Sequence, residues 1–424
     1  MATIQFPYGE SYLEGTIPDE RLVGILTRDA YTMQATRRPE DIVQEALGHP
    51  IGTPRLCQMA RNKNKVVLIC SDQTRAVPSQ YIIPPMLREI RKGNPEADIT
   101  LLIAGGGHTK ISKQELRRKF GEEIVEKEKI VIHDADDPEG LVEIGMLPSG
   151  GVLQIDKLAW EADLLCAEGL LEPHFFAGFS GGRKSILPGI SSRTTIRSNH
   201  CSENIASEYA RTAVIKGNPI HNDMLYAARA ARLDFILNVI INSRKEMIFA
   251  FAGDVDLAHR AGRELMTEQR RVPKTAADIV ITSNGGYPLD QNIYQAVKCM
   301  TAGEACVNEG GVIICISRSQ YGHGGEDFYR LFQEEPDPVK MVEKFMATPK
   351  EETAQDQWQA QIFARIMQHA RVIYISDAPD DMVRDLHMIP AHDIDVALAL
   401  ADELLGRKGS VLAIPNGSSV IVTD

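Results

Sequence analysis

The sequence predicts two α/β domains with mainly parallel sheets and an active-site cleft between them, and three observations predict it. Apolar, β-branched runs alternate with stretches of helical periodicity, as buried parallel strands joined by helices do. Several of those runs empty directly into glycine-rich polar clusters. The alternation breaks once, at the polar, basic and proline-containing Gln269-Arg-Arg-Val-Pro-Lys-Thr275, and then resumes. A chain of 424 residues is too long for one core. The boundaries expected are therefore 1–270 for an N-terminal domain and 275–424 for a C-terminal one, with the last ~15 residues packing back on the first.

Residues 1–60 carry short alternating runs and one helix signal, Pro39 to Leu47, led in by Arg-Arg-Pro-Glu-Asp. From Lys65 the pattern sharpens. Lys65-Val-Val-Leu-Ile-Cys70 has no polar face, as a strand covered on both sides requires. It stops at Ser71-Asp-Gln-Thr-Arg-Ala-Val-Pro78, and a helix is expected from about Pro84 to Lys92. A second strand, Ala97 to Ala104, ends in Gly105-Gly-Gly-His108. Helix Lys113–Glu126, strand Ile130–His133 and the apolar run Asp163–Leu171 continue the series. This βαβ order places Asp72, Arg75 and His108 at the carboxyl ends of neighbouring strands, the edge along which open α/β sheets take ligands. Asn218-Pro219 reads as a helix cap and first turn. Phe235–Ile241 and Met247–Phe251, joined by Asn-Ser-Arg-Lys-Glu, read as a hairpin. Beyond the boundary, strands are expected at Asp278–Thr282, Gly311–Ser317, Arg371–Ser376 and Ser410–Ile414.

A net charge of −12 argues against nucleic acid or an anionic membrane as partner. No apolar run is long enough to span a bilayer and no signal peptide opens the chain, so a cytoplasmic location is expected. The seven cysteines include no Cys-x-x-Cys pair, which fits a reducing compartment and disfavours a zinc ribbon.

The chemistry concentrates in Glu172–His200, where His174, Lys184, His200, three arginines and four glycines crowd one short span. Gly178-Phe-Ser-Gly-Gly-Arg-Lys-Ser185 imitates a P-loop, but that pattern needs glycine immediately before the lysine, and here Arg183 obstructs the phosphate cradle. Arg183 and the following helix start are expected to disfavour the ammonium form of Lys184, making it a nucleophile or attachment point rather than a solvated lysine. Singly, His108, His174 and His200 read as surface, turn or cap residues. Together on one sheet edge they suggest a metal site or an acid/base pair, although their spacing lacks the i, i+4 pairing of helical zinc motifs. In the second domain Tyr294, Gln295 and Lys298 share one helical face and make a carboxylate clamp that Arg75 completes. Trp358 either packs a helix or covers the site. From the residues alone two readings stay open, a two-base racemase or hydrolase on an ordinary divalent metal and a non-catalytic nucleotide- or anion-binding protein.

Over nearly its whole length the chain resembles the nickel-dependent lactate racemases and their 2-hydroxyacid racemase and epimerase relatives. Ser71-Asp-Gln-Thr-Arg75, Gly105-Gly-Gly-His108, Glu172–Gly189, His200 and Tyr294-Gln-Ala-Val-Lys298 carry the resemblance. It implies a nickel-pincer nucleotide, a pyridinium-3,5-bisthiocarboxylate mononucleotide joined to Lys184, with nickel completed by His200. It further implies Asp72, Gln73, Thr74 and Arg75 as cofactor contacts, His108 and His174 as the catalytic pair, and Arg75, Tyr294, Gln295, Lys298 and Trp358 as substrate contacts. Phe176 lines the pocket in that resemblance. The partners implied are a short 2-hydroxyacid, most simply lactate, and the enzymes that build the cofactor.

Overall fold

Lys65–Ser71, buried from Val66 to Cys70, is an inner strand of a six-stranded sheet in a computed structural model that describes residues 1–27, 33–106 and 111–423. Across the sheet the strands run Met247–Gly253, Leu233–Ile241, Leu164–Leu170, Lys65–Ser71, Asp98–Ala104 and Lys129–Ile132. All pair in parallel except the first two, which form the expected antiparallel hairpin. From Lys65–Ser71 the chain steps outward on one side and later returns to the other. The carboxyl ends of Lys65–Ser71 and Leu164–Leu170 therefore flank the switch point at which such sheets open a ligand crevice.

Two helices depart from expectation for visible reasons. The helix after Lys65–Ser71 spans Ser79–Gly93, with Pro84 and Pro85 inside it rather than at its start. An interior proline costs about 3 kcal/mol, while burying each of Ile82, Ile83, Met86, Leu87 and Ile90 contributes about 1.5–3 kcal/mol. Packing wins. The helix expected over Lys113–Glu126 is two, Lys113–Phe120 and Glu122–Lys127, because Gly121 sits between them at φ +87°.

The chain divides into two compact units, one of Ala30–His200 with Ser207–Gln269, the other of Met1–Asp29, Cys201–Ala206 and Arg270–Asp424. The second unit holds an all-parallel sheet in the order Ile389–Ala391, Ala370–Ile375, Val307–Ile316, Ala277–Ser283, Val411–Ile414, Leu22–Ile25. The opening residues, placed by sequence in the N-terminal domain, belong to this unit. Ile4, Phe6 and Ile17 of the hairpin Ala2–Tyr8/Ser11–Ile17 enter its core beside Ile279, Ile281 and Val312, and Leu22–Ile25 supplies its edge strand. The chain's end stays in the same unit, where Ile421–Thr423 pairs with Arg271–Pro273. Among the described residues every cysteine is free, and no helix is long and apolar enough to cross a membrane.

Candidate active site

Beyond the buried strand Leu164–Leu170 the chain folds back on itself as a tight loop. Pro173–His174 pairs with Gly178–Phe179, and Ser180 ties the base by donating from Oγ to Leu170 O at 2.7 Å while Glu172 N donates to that Oγ at 2.9 Å. Glycine is required where this loop meets its surroundings. Gly178 has φ +75°, and a Cβ there would stand 2.5 Å from Val214 O. A single turn, Gly182–Ser185, then carries Arg183 and Lys184. Gly106 N donates to Gly189 O at 3.0 Å, tying the chain after Asp98–Ala104 to the segment just beyond that turn.

Three of the side chains expected at the site are set around one ring. Phe176, 4% exposed, meets His174 edge-on with centroids 4.5 Å apart and His200 edge-on at 5.2 Å, while Lys184 Nζ lies 5.6 Å from its centre. Lys184 Nζ is 3.4 Å from His174 Nε2. His174 Nδ1 accepts from the backbone N–H groups of Ala177, at 3.3 Å, and Phe176, at 3.5 Å. His200 Nδ1 donates to Ile196 O at 3.0 Å at the end of helix Arg193–Asn199, so the unprotonated nitrogen of the neutral ring is Nε2. Burial first, and the Lys184 charge second, push its pKa down to about 3, so it is a neutral imidazole, the form that binds metals. Among the described residues no group of three or more His, Cys, Asp or Glu is placed to hold a metal ion.

A cavity of about 120 Å³ lies alongside, walled by Ser71, Arg75, Gly105, Glu172 and Lys184. Arg75 is exposed. Asp72 is buried and accepts from Thr74 N at 3.0 Å and Thr74 Oγ1 at 2.6 Å, which shapes the turn carrying Gln73 and Arg75. His108 lies outside the described residues.

Tyr294, Gln295 and Lys298 stand in the other unit, on helix Ile293–Glu304. All three are half-buried on the face opposite Ile293, Ala296, Val297 and Met300, which enter the core. Asn292 caps that helix by accepting from Gln295 N at 2.9 Å, and Gln359 Nε2 donates to Tyr294 O at 2.5 Å from helix Gln357–His369, which also carries the half-buried Trp358.

Sequence reasoning missed Glu168 and Lys119. Glu168, 1% exposed, accepts from Ser71 N at 2.9 Å and Ser79 Oγ at 3.0 Å, the two ends of the loop that holds Asp72 and Arg75. Lys119 Nζ donates to Arg75 O at 3.1 Å and Val77 O at 3.4 Å in the middle of that loop. Burial raises the Glu168 pKa and lowers that of Lys119, and each charge partly offsets the shift of the other. A lone carboxylate in the apolar run Leu164-Leu-Cys-Ala-Glu-Gly-Leu170 was the available signal. Lys119, in a basic run on a helix, had none.

Burial also holds His221, to about 3, and His259, well below the usual value, with Arg183 the next cause for both. Unfolded, these imidazoles and His200 titrate near 6.5, so as pH falls below about 6.5 the unfolded chain binds protons first and stability drops toward pH 3. The melting temperature is expected to fall between pH 7 and pH 5, and less steeply for His221→Leu. Parallel slopes for the two proteins would show that His221 is not held neutral.

Two family models match the chain, the lactate racemase N-terminal domain over residues 8–213 and the lactate racemase C-terminal domain over residues 272–422. The lactate racemase of Thermoanaerobacterium thermosaccharolyticum is 52% identical over 425 residues, and that of Lactiplantibacillus plantarum 47% over 423, with 100% of each chain covered in both cases. The solved structure of the lactate racemase apoprotein from the first organism is similar with a TM-score of 0.96, at 51% identity and full coverage of both chains. A Thermotoga maritima protein of known structure, 17% identical with a TM-score of 0.65 over 91% of this chain and 98% of its own, shares the fold. By sequence over its full length and by fold, the chain belongs to the lactate racemase family.

Proposed function

We propose that this chain interconverts the enantiomers of a short 2-hydroxyacid, lactate first, by removing and returning hydride at Cα through the ketoacid. The grouping of His174, Lys184 and His200 around Phe176 at the sheet's switch point carries the reading. Both relatives named above are lactate racemases, which supports lactate as substrate.

The donor set suits a nickel-pincer nucleotide: Lys184 would hold it covalently, His200 would offer Nε2 to nickel, and Asp72 to Arg75 would take its nucleotide part. When bound, that group supplies an electron-poor pyridinium able to accept and return hydride. Direct proton abstraction is the harder route, because a hydrogen beside an ionised carboxylate is barely acidic. The protein's task is then to move the hydroxyl proton. His174 is assigned that exchange: as a neutral imidazole it would take the hydroxyl proton on its unprotonated nitrogen, and as the imidazolium it would return one, as expected of an imidazole near neutral pH. His108 is assigned the same work on the opposite face, since two enantiomers need two bases. Arg75, Gln295 and Lys298 are assigned the carboxylate, with Tyr294 and Trp358 beside the substrate.

Racemisation of α-protonated L-lactate in deuterium oxide by cofactor-loaded enzyme tests the route. D-lactate that keeps its original hydrogen is expected. Rapid wash-in of deuterium at Cα would mean proton abstraction and would remove the hydride reading.

A further inference from the structure

The arginine that spoils the resemblance to a P-loop has a use of its own. Arg183 is 1% exposed, among the largest fully buried side chains of the protein. Its guanidinium does not point toward the Lys184 amine. Nη2 donates to Ala177 O at 2.8 Å and Phe179 O at 2.9 Å, and Nη1 approaches Gly181 O at 3.4 Å. His259 Nε2, from helix Leu257–Arg270, lies 3.0 Å from Nη1 and 2.8 Å from Ser180 O, bracketing the same loop from behind. Among the described residues no carboxylate forms an ion pair with Arg183, and burial with the repulsion of Arg263 brings its pKa down to about 9. A buried cation held by carbonyls, its Nε without a hydrogen-bond partner among the described residues, is a poor way to gain stability, since an apolar side chain would avoid its desolvation.

We propose that Arg183 is the positioning residue that sets His174 and Lys184 against each other. Ala177 is the link on one side: its N–H donates to His174 Nδ1 at 3.3 Å, and its carbonyl is the one Arg183 Nη2 holds. The guanidinium thereby fixes the residue whose N–H meets His174 Nδ1. On the other side the link is covalent. In a turn with about three residues per revolution, neighbouring side chains leave in different directions, so an Arg183 driven inward sends Lys184 out to the cavity wall, where it stands. The roles of the two groups rest on the racemase reading; their separation of 3.4 Å does not.

The test uses the full-length chain and Arg183→Lys, which keeps the charge but lacks the fork that reaches several carbonyls. Acetylation of Lys184 by a small activated ester, followed peptide by peptide in the apoprotein against pH with exposed Lys245 as internal reference, is expected to slow about tenfold and change its pH profile, since ångström-scale misplacement has effects of that order. In the loaded enzyme kcat is expected to fall about tenfold or more while KM moves less than about threefold. A folded Arg183→Lys that labels and turns over as the wild type does overturns the proposal. If that variant does not fold, His259→Gln is measured the same way: a smaller shift in the same direction supports positioning, and no change overturns it. Absence of racemisation by the loaded wild type would defeat the racemase reading alone, because the labelling comparison decides positioning without turnover.

Discussion

Lys184→Ala is expected to abolish racemisation, by at least about a thousandfold, as removal of a covalent participant does. The side chain is half-buried in a turn whose backbone bonds, such as Gly189 N to Lys184 O at 3.1 Å, do not involve it, so the fold should survive. Lys184→Arg is expected to be equally inactive, because a guanidinium keeps the charge but is not the nucleophile that an amine is. The same variants should fail to gain the mass of the cofactor when the intact chain is weighed after expression with the cofactor-building enzymes. Turnover at the wild-type rate in Lys184→Ala would end the proposal that this amine carries the reacting group.

His174→Gln has the second largest expected effect, a loss of about 10²–10⁴ from removing one proton-transfer group. The two lactates have equal free energy in water, so kcat/KM must fall by the same factor in both directions whichever base is lost. Directionality appears earlier in the reaction. If His174 serves one face and His108 the other, a single turnover of the loaded variant should release ketoacid from one enantiomer and not from the other. Equal bursts from both would show that His174 is not specific to one face. The glutamine also keeps a side-chain amide beside Ala177 N–H, so lost activity would not simply report a collapsed loop.

The order of the strands was legible in the sequence, because strands buried on both sides cannot hide their composition. Lys65–Ser71, Asp98–Ala104 and Ala277–Ser283 stand within a residue or two of where their apolar runs place them. The grouping of the opening hairpin was not. Ile4 and Phe6 alternate as a half-buried strand should, but nothing local states that the core they enter is made of Ile279 and Val312, far along the chain. Glu168 could have been singled out as the one charge in an apolar strand, whereas the position of Lys119 over Arg75 and Val77 depends on how two helices pack.

The residue types at the site were likewise a matter of sequence: an amine, imidazoles and glycines beyond the carboxyl ends of parallel strands announce anionic ligands and proton transfer before any coordinate is known. Tertiary structure alone decided that Phe176 is the ring that His174, Lys184 and His200 surround, that His200 Nδ1 is tied to Ile196 O, and that Arg183 faces inward. Those outcomes turn on which carbonyl or N–H each side chain meets. Such partners lie on loops and helices brought together only by folding, so no spacing along the chain encodes them.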